Sequence, residues 1–107
     1  VDFLEIHDNF FEVAKPIRQI WEKLKDGICI IAIQKDPEAR LGRGKDFSME
    51  KSRLYLTLNY DKDRRCSRLT IEDAKAPKSF HSIQGYHKHV KIISGSRLES
   101  MDKEWQL

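Results

Sequence analysis

The chain has 107 residues, of which 39% are hydrophobic and 35% charged. That is enough for one small domain with a single core and too little for two. No apolar run approaches the roughly 18 residues a membrane-spanning helix requires, and no signal-peptide pattern is present, so a soluble, cytoplasmic protein (host cytoplasm if phage-encoded) is expected. The formal charge of +3 permits an anionic partner without specifying one. Cys29 and Cys66 follow no CxxC spacing, which fits reduced thiols in a reducing compartment.

In chain order, "VDFLEI" is short, β-branched and aromatic, the composition of a strand, and its start without methionine suggests entry in mid-strand. Asp8 suits a helix cap. Phe10, Val13, Ala14, Ile17, Ile20 or Trp21, and Leu24 then recur at spacings of three and four, which predicts a helix of about four turns with one apolar face. Pro16 lies inside it and predicts a kink or a late start. "KDG" ends it, with Gly27 placed for positive φ. "ICIIAI" is unbroken apolar sequence, the mark of a strand covered on both faces. Strand, helix and buried strand together predict a parallel βαβ unit.

"QKDPEARLGRGKD" has no periodicity and carries Pro37, Gly42 and Gly44, so a mobile loop is expected over 35–48, with "SMEK" a brief helical turn capped by Ser48. "RLYLTLNY" and "CSRLTIED" alternate in type on either side of "DKDRR", which predicts an antiparallel hairpin. "KAPKSFHSIQGYHKH" reads as a second loop, "VKIIS" as the last strand, and Trp105 as an anchor for the polar tail.

Within the first loop, "LGRGKDFS" has the composition of a phosphate-binding loop but not its spacing. Aligning Gly44-Lys45 with the GK of GxxxxGK[ST] puts Ala39 where the first glycine belongs and Asp46 where a metal-binding hydroxyl belongs. A carboxylate there repels phosphate. The flanks are loop rather than strand and long helix, so the match fails.

Two other positions sit where α/β enzymes keep their chemistry. Asp2 lies in an apolar strand, where a carboxylate can hold the water shell of Mg²⁺. Gln34 ends "ICIIAI", at the carboxyl end of the expected strand, where ligands gather on open α/β sheets.

The ordered series "DFLE", "IIAIQK", "EKSRLYLTL" and "DAKAPK", ending in "VKIISGS", resembles the C-terminal half of a RecA-like P-loop ATPase. The likeness is to bacterial replicative helicases and their phage-encoded relatives, and it covers nearly the whole chain. It implies an α/β fold: one partial RecA-like domain over 1–107, with a strand-helix-strand portion (1–35), the loop (35–48), and a hairpin with the last strand (52–94). Asp2 would match the Mg²⁺-positioning aspartate, Gln34 the glutamine that senses the terminal phosphate, and Lys75 a lysine pointing at the neighbouring subunit's ATP. The loop after Gln34 would match the segment that contacts single-stranded DNA, through Lys35, Arg40, Arg43 and Lys45. Such helicases place an arginine finger two residues after the late lysine. Here that position is Pro77, with Lys78 next to it as a point-charge substitute for a planar guanidinium.

The resemblance also implies that the phosphate loop and catalytic glutamate precede Val1. ATP and Mg²⁺ would then belong to the intact parent, a DNA-stimulated ATPase acting as a homo-oligomeric ring, and this chain alone would be inactive. The rival reading is a non-catalytic nucleic-acid- or protein-binding α/β module. His87 and His89 have HxH spacing suited to a metal on one strand face, but no neighbouring ligand in sequence completes the set. Neither cysteine has a histidine at a recognisable catalytic spacing.

Overall fold

The computed structural model describes residues 14–36, 38–42, 46–49, 51–76 and 81–107, apart from the side chains of residues 46 and 47. The expected first strand and the Asp8 cap lie outside the described residues. The chain divides into two compact units, residues 1–52 and 53–107.

In the first unit α1 spans Ala14–Lys23. Pro16 is the third of its described residues and brings no N–H to the helix. Ala14 and Ile17 are the buried positions, one turn apart. Trp21 lies half exposed with the Lys51 ammonium 4.4 Å from its ring centroid, a cation–π contact. The Leu24 N–H donates to the Ile20 carbonyl at 3.0 Å, and Gly27 turns the chain away at φ +142, a backbone region that side-chain-bearing residues avoid.

Residues 28–33 differ from expectation. Their exposure alternates with the period of two of an extended chain; Ile33 forms an isolated bridge, but the run is not one of the described ladder strands. Ile28 is 90% and Ile30 80% exposed, so this is not a strand covered on both faces. The apolar run specifies extended backbone; covering it takes neighbouring strands and a layer on each side. The described residues of this unit supply only α1 and the single turn α2, Asp46–Met49. Ser48 sits inside that turn and is buried, rather than capping it. Ser52 closes the turn instead, its N–H and hydroxyl both donating to the Met49 carbonyl at 3.2 and 3.0 Å.

The second unit is an antiparallel sheet of β1 (Leu54–Asp61), β2 (Cys66–Ala74), β3 (His87–Ile93) and β4 (Arg97–Ser100), in sequential order. The fold is thus mixed α and β, and every strand pairing among the described residues is antiparallel. The β1–β2 hairpin stands where the alternation places it. Asp61 Oδ1 accepts from the N–H groups of Asp63 and Arg64 at 3.0 and 3.2 Å, a carboxylate-nucleated turn, and Arg65 leaves it at φ 52.

Two strand assignments need correction. β3 begins at His87 rather than Val90, because His87 and His89 are strand residues on a polar face. The segment after Gly95 is a fourth strand rather than a tail. Ser94 and Gly95 take φ of 54 and 69, and the Ser96 N–H donates to the Ile93 carbonyl at 3.2 Å, the signature of a type I′ hairpin turn. The C-terminal tail is held by backbone pairing: His87 and Gln106 exchange two bonds at 2.7 and 2.9 Å. Trp105 lies nearby with the Lys88 ammonium 5.6 Å from its ring.

The two sheet faces are unequal. Register puts Leu54, Leu56, Leu58 and Tyr60 on one face with Leu69, Ile71, Val90, Ile92 and Leu98. The four β1 residues, Ile92 and Leu98 are all substantially exposed. The opposite face carries Thr57, Cys66 and His89, which are buried. The better-covered face is therefore the more polar one.

Candidate functional site

Register slips between Tyr55 and Leu56, which pair with Asp73 and Ile71, so Glu72 is an extra residue in β2. Such a bulge re-aims a side chain, and Glu72 turns onto the polar face. There Thr57 Oγ1 donates to its Oε1 at 2.8 Å, with both residues buried. A buried carboxylate needs such donors to offset the water it gives up.

A second polar group centres on His89. Arg64 Nη1 lies 2.8 Å from Nε2 and 3.4 Å from Nδ1, while Nδ1 lies 2.9 Å from Asp102 Oδ2. A guanidinium only donates, so Nε2 is the acceptor and Nδ1 carries the proton donated to Asp102. The His89 backbone N–H also donates to Asp102 Oδ2, at 2.7 Å. That bond and the one from the ring hold the Asp102 carboxyl below its usual range. The Ser100 hydroxyl donates to the Asp102 carbonyl at 2.7 Å, and the Met101 N–H to the His89 carbonyl at 2.8 Å.

An Asp–His pair of this kind orients a general base in many hydrolases. Here the outer nitrogen is occupied by Arg64, and the group acts as a clamp tying the β1–β2 turn to β3 and to the tail. His87 meets His89 edge-on at 5.5 Å, so the HxH pair does share a face. Among the described residues, however, no group of three His, Cys, Asp or Glu side chains could hold a metal.

The residues singled out in the sequence are distributed as follows. Asp2, Arg43, Lys45 and Lys78 lie outside the described residues. Gln34 is exposed at the end of the extended run. Lys35 Nζ donates to the carbonyls of Asp36 at 3.0 Å and Ala39 at 2.6 Å, and the Ala39 N–H donates to the Asp36 carbonyl at 3.0 Å. The ammonium thus closes a turn, with Leu41 and Gly42 buried just beyond it. Arg40 and Lys75 are both exposed, and both interact with other groups of the chain.

Beside the basic residues of the loop after Gln34, an excess of positive charge gathers in the second unit. Residues 53–107 carry eleven Lys and Arg against seven Asp and Glu, whereas residues 1–52 carry nine against ten. Counting charge by unit rather than by loop would have shown this. No helix among the described residues is long and apolar enough to cross a membrane. Comparison with protein-family models, curated proteins and solved structures finds no match.

Proposed function

We propose that this chain is the C-terminal part of a RecA-like, DNA-stimulated ATPase that works as a homo-oligomeric ring, and that its own task is to couple a phosphate-sensing Gln34 to single-stranded DNA. The observation that carries this reading is local. The exposed amide of Gln34 immediately precedes a turn closed by Lys35 on two carbonyls, and that turn leads to exposed Arg40. A displacement at Gln34 therefore moves the residue that closes the turn.

The exposed Ile28 and Ile30 also fit this reading. An interior strand of a parallel sheet shows such side chains wherever its neighbouring strands and layers are not beside it. The ATP and Mg²⁺ expected for such an ATPase are assigned to Asp2 and Lys78, outside the described residues, and to Gln34 and Lys75. No catalytic step is derived from them. Lys35 serves the turn, so direct phosphate contact falls to Arg40 and to the neighbouring Arg43 and Lys45.

The test is Gln34→Ala in the ATPase ring. Basal hydrolysis persists and stimulation by single-stranded DNA is lost; normal stimulation in this variant would show the coupling to be wrong. The concentration of positive charge in residues 53–107 favours one rival, a non-catalytic nucleic-acid-binding module. In that case the chain binds single-stranded DNA with an affinity that Gln34→Ala leaves untouched, and no ATPase ring containing it exists to be stimulated.

A further inference from the structure

The β2–β3 ladder ends at Ser67–Val90, while Lys91, Ile92 and Ile93 continue beyond it, paired to β4 on their other side. Where β3 runs past the β1–β2 turn, the sheet opens into a cleft of about 330 Å³ lined by Tyr60, Arg65, Cys66, Lys91, Ile92 and Ile93, with Ser67. That volume is at the small end of ligand-binding pockets.

Its lining combines three chemistries. Tyr60 is 66% exposed, a large aromatic surface without cover. Cys66 is buried, and Ile93 half-buried, beneath the opening. Arg65 and Lys91 are exposed cations, and among the described residues neither has a carboxylate partner.

Two of the nearby carboxylates are engaged with other groups and a third is exposed in the turn. Asp61 Oδ1 accepts the two turn N–H groups. Glu99, opposite Lys91 in register, lies 3.6 Å from Arg97. Asp63 is exposed within the turn. Arg64 is held by His89, which fixes the turn and leaves Arg65 to project from its exit.

We propose that this cleft binds one nucleotide of a single nucleic-acid strand, with the base stacked on Tyr60 and the flanking phosphates on Arg65 and Lys91. By register Tyr60 and Lys91 stand on opposite faces of the sheet, and both line the cleft at its end, so a strand crossing there meets an uncovered ring and two cations, the groups by which single strands are held without sequence preference. A duplex keeps its base faces stacked and cannot offer one to Tyr60. The excess of positive charge in residues 53–107 supplies the long-range attraction. The inference is independent of the RecA-like reading, because every residue it uses lies in the hairpin unit.

The experiment is fluorescence anisotropy of a labelled single-stranded oligo(dT) with the full 107-residue chain, across a salt series. Tyr60→Ala weakens binding roughly 5- to 150-fold with an unchanged salt slope, and Tyr60→Trp retains affinity. Arg65→Ala with Lys91→Ala lowers the slope of log affinity on log salt by about 1.4, about 0.7 for each phosphate contact. Lys103→Ala, on the tail, changes the affinity less than either. The substituted side chains are exposed, so urea midpoints match the wild type. Should one shift, Tyr60→Phe and Lys91→Arg, which keep ring and charge, must restore both folding and binding.

Binding of oligo(dT) that ignores Tyr60, Arg65 and Lys91 alike overturns the cleft while leaving DNA contact by the Gln34 loop standing. Displacement of oligo(dT) by a poly-glutamate peptide as readily as by unlabelled oligo(dT) overturns it in favour of an acidic protein partner. Equal displacement by a free mononucleotide at matched nucleotide concentration overturns the strand in favour of a small-molecule ligand.

Discussion

Thr57→Val isolates one interaction in the polar face of the sheet. The substitution keeps the shape of the side chain and replaces a hydroxyl that donates to Glu72 at 2.8 Å. Thr57 is 5% and Glu72 8% exposed, so water does not readily take the hydroxyl's place. A hydrogen bond to a charged group contributes about 1.5–3 kcal/mol net. Glu72 keeps a further interaction, which places the expected loss at the lower end, about 1.5–2 kcal/mol.

Urea unfolding followed by Trp105 fluorescence in a Trp21→Phe background reads the second unit alone. With a slope near 1 kcal/mol/M, as suits a small unit, the midpoint falls by about 1.5–2 M at constant slope. Adding Glu72→Leu removes the stranded acceptor together with its donor, and the double variant recovers part of the loss. A single-variant loss below about 0.5 kcal/mol, or a double variant equal to the sum of the singles, would refute the claim that this pair stabilises the bulge.

Two further outcomes follow from the same sheet. Asp102 has a folded pKa below its ordinary value of 3.8, so its contribution is complete above that value and is lost as pH falls through the lowered folded value. Urea midpoints of wild type and Asp102→Asn therefore differ at neutral pH and converge on the acid side; a gap that persists unchanged below that range contradicts the assignment. In the β3–β4 turn, Ser94 at φ 54 bears a left-handed cost of about 1–2 kcal/mol, part of which replacement by Gly recovers, the rest being offset by the greater freedom of Gly in the unfolded chain. Gly95→Val, forced to φ 69, costs at least as much and frays β4 in amide exchange, and equal stability of both variants would exclude the type I′ geometry.

The β1–β2 hairpin was legible because alternation and the charged turn "DKDRR" agree. The fourth strand was hidden because "RLES" looks polar and short, although Ser94-Gly95 carried the turn signal. His87 and His89 read as loop because strand prediction expects apolar residues on the covered face, and here that face is polar. The run at 28–33 has the alternating exposure of an extended chain but not the cover expected of it, because burial depends on what surrounds a strand, and composition does not show that. Pro16 lies within α1, as the spacing of the apolar residues predicts, and the start of the helix falls at the edge of the described residues.

The chemistry was less legible than the fold. Lys35 was visible as a cation, but its return onto two carbonyls is a matter of three dimensions. The clamp on His89 joins residues 25 and 13 positions away, with no local pattern to mark it. Arg65 and Lys91 line one cleft where the β2–β3 ladder stops short, which their separation of 26 positions does not show.

The central claim is that this chain contacts single-stranded nucleic acid, and binding to an unstructured oligonucleotide tests it most directly. The account predicts dissociation constants of about 1–100 µM near physiological salt, tightening steeply toward about 50 mM, with log affinity linear in log salt. A duplex of the same length should bind more weakly. No binding at about 50 mM salt, or binding that salt does not change, would contradict it.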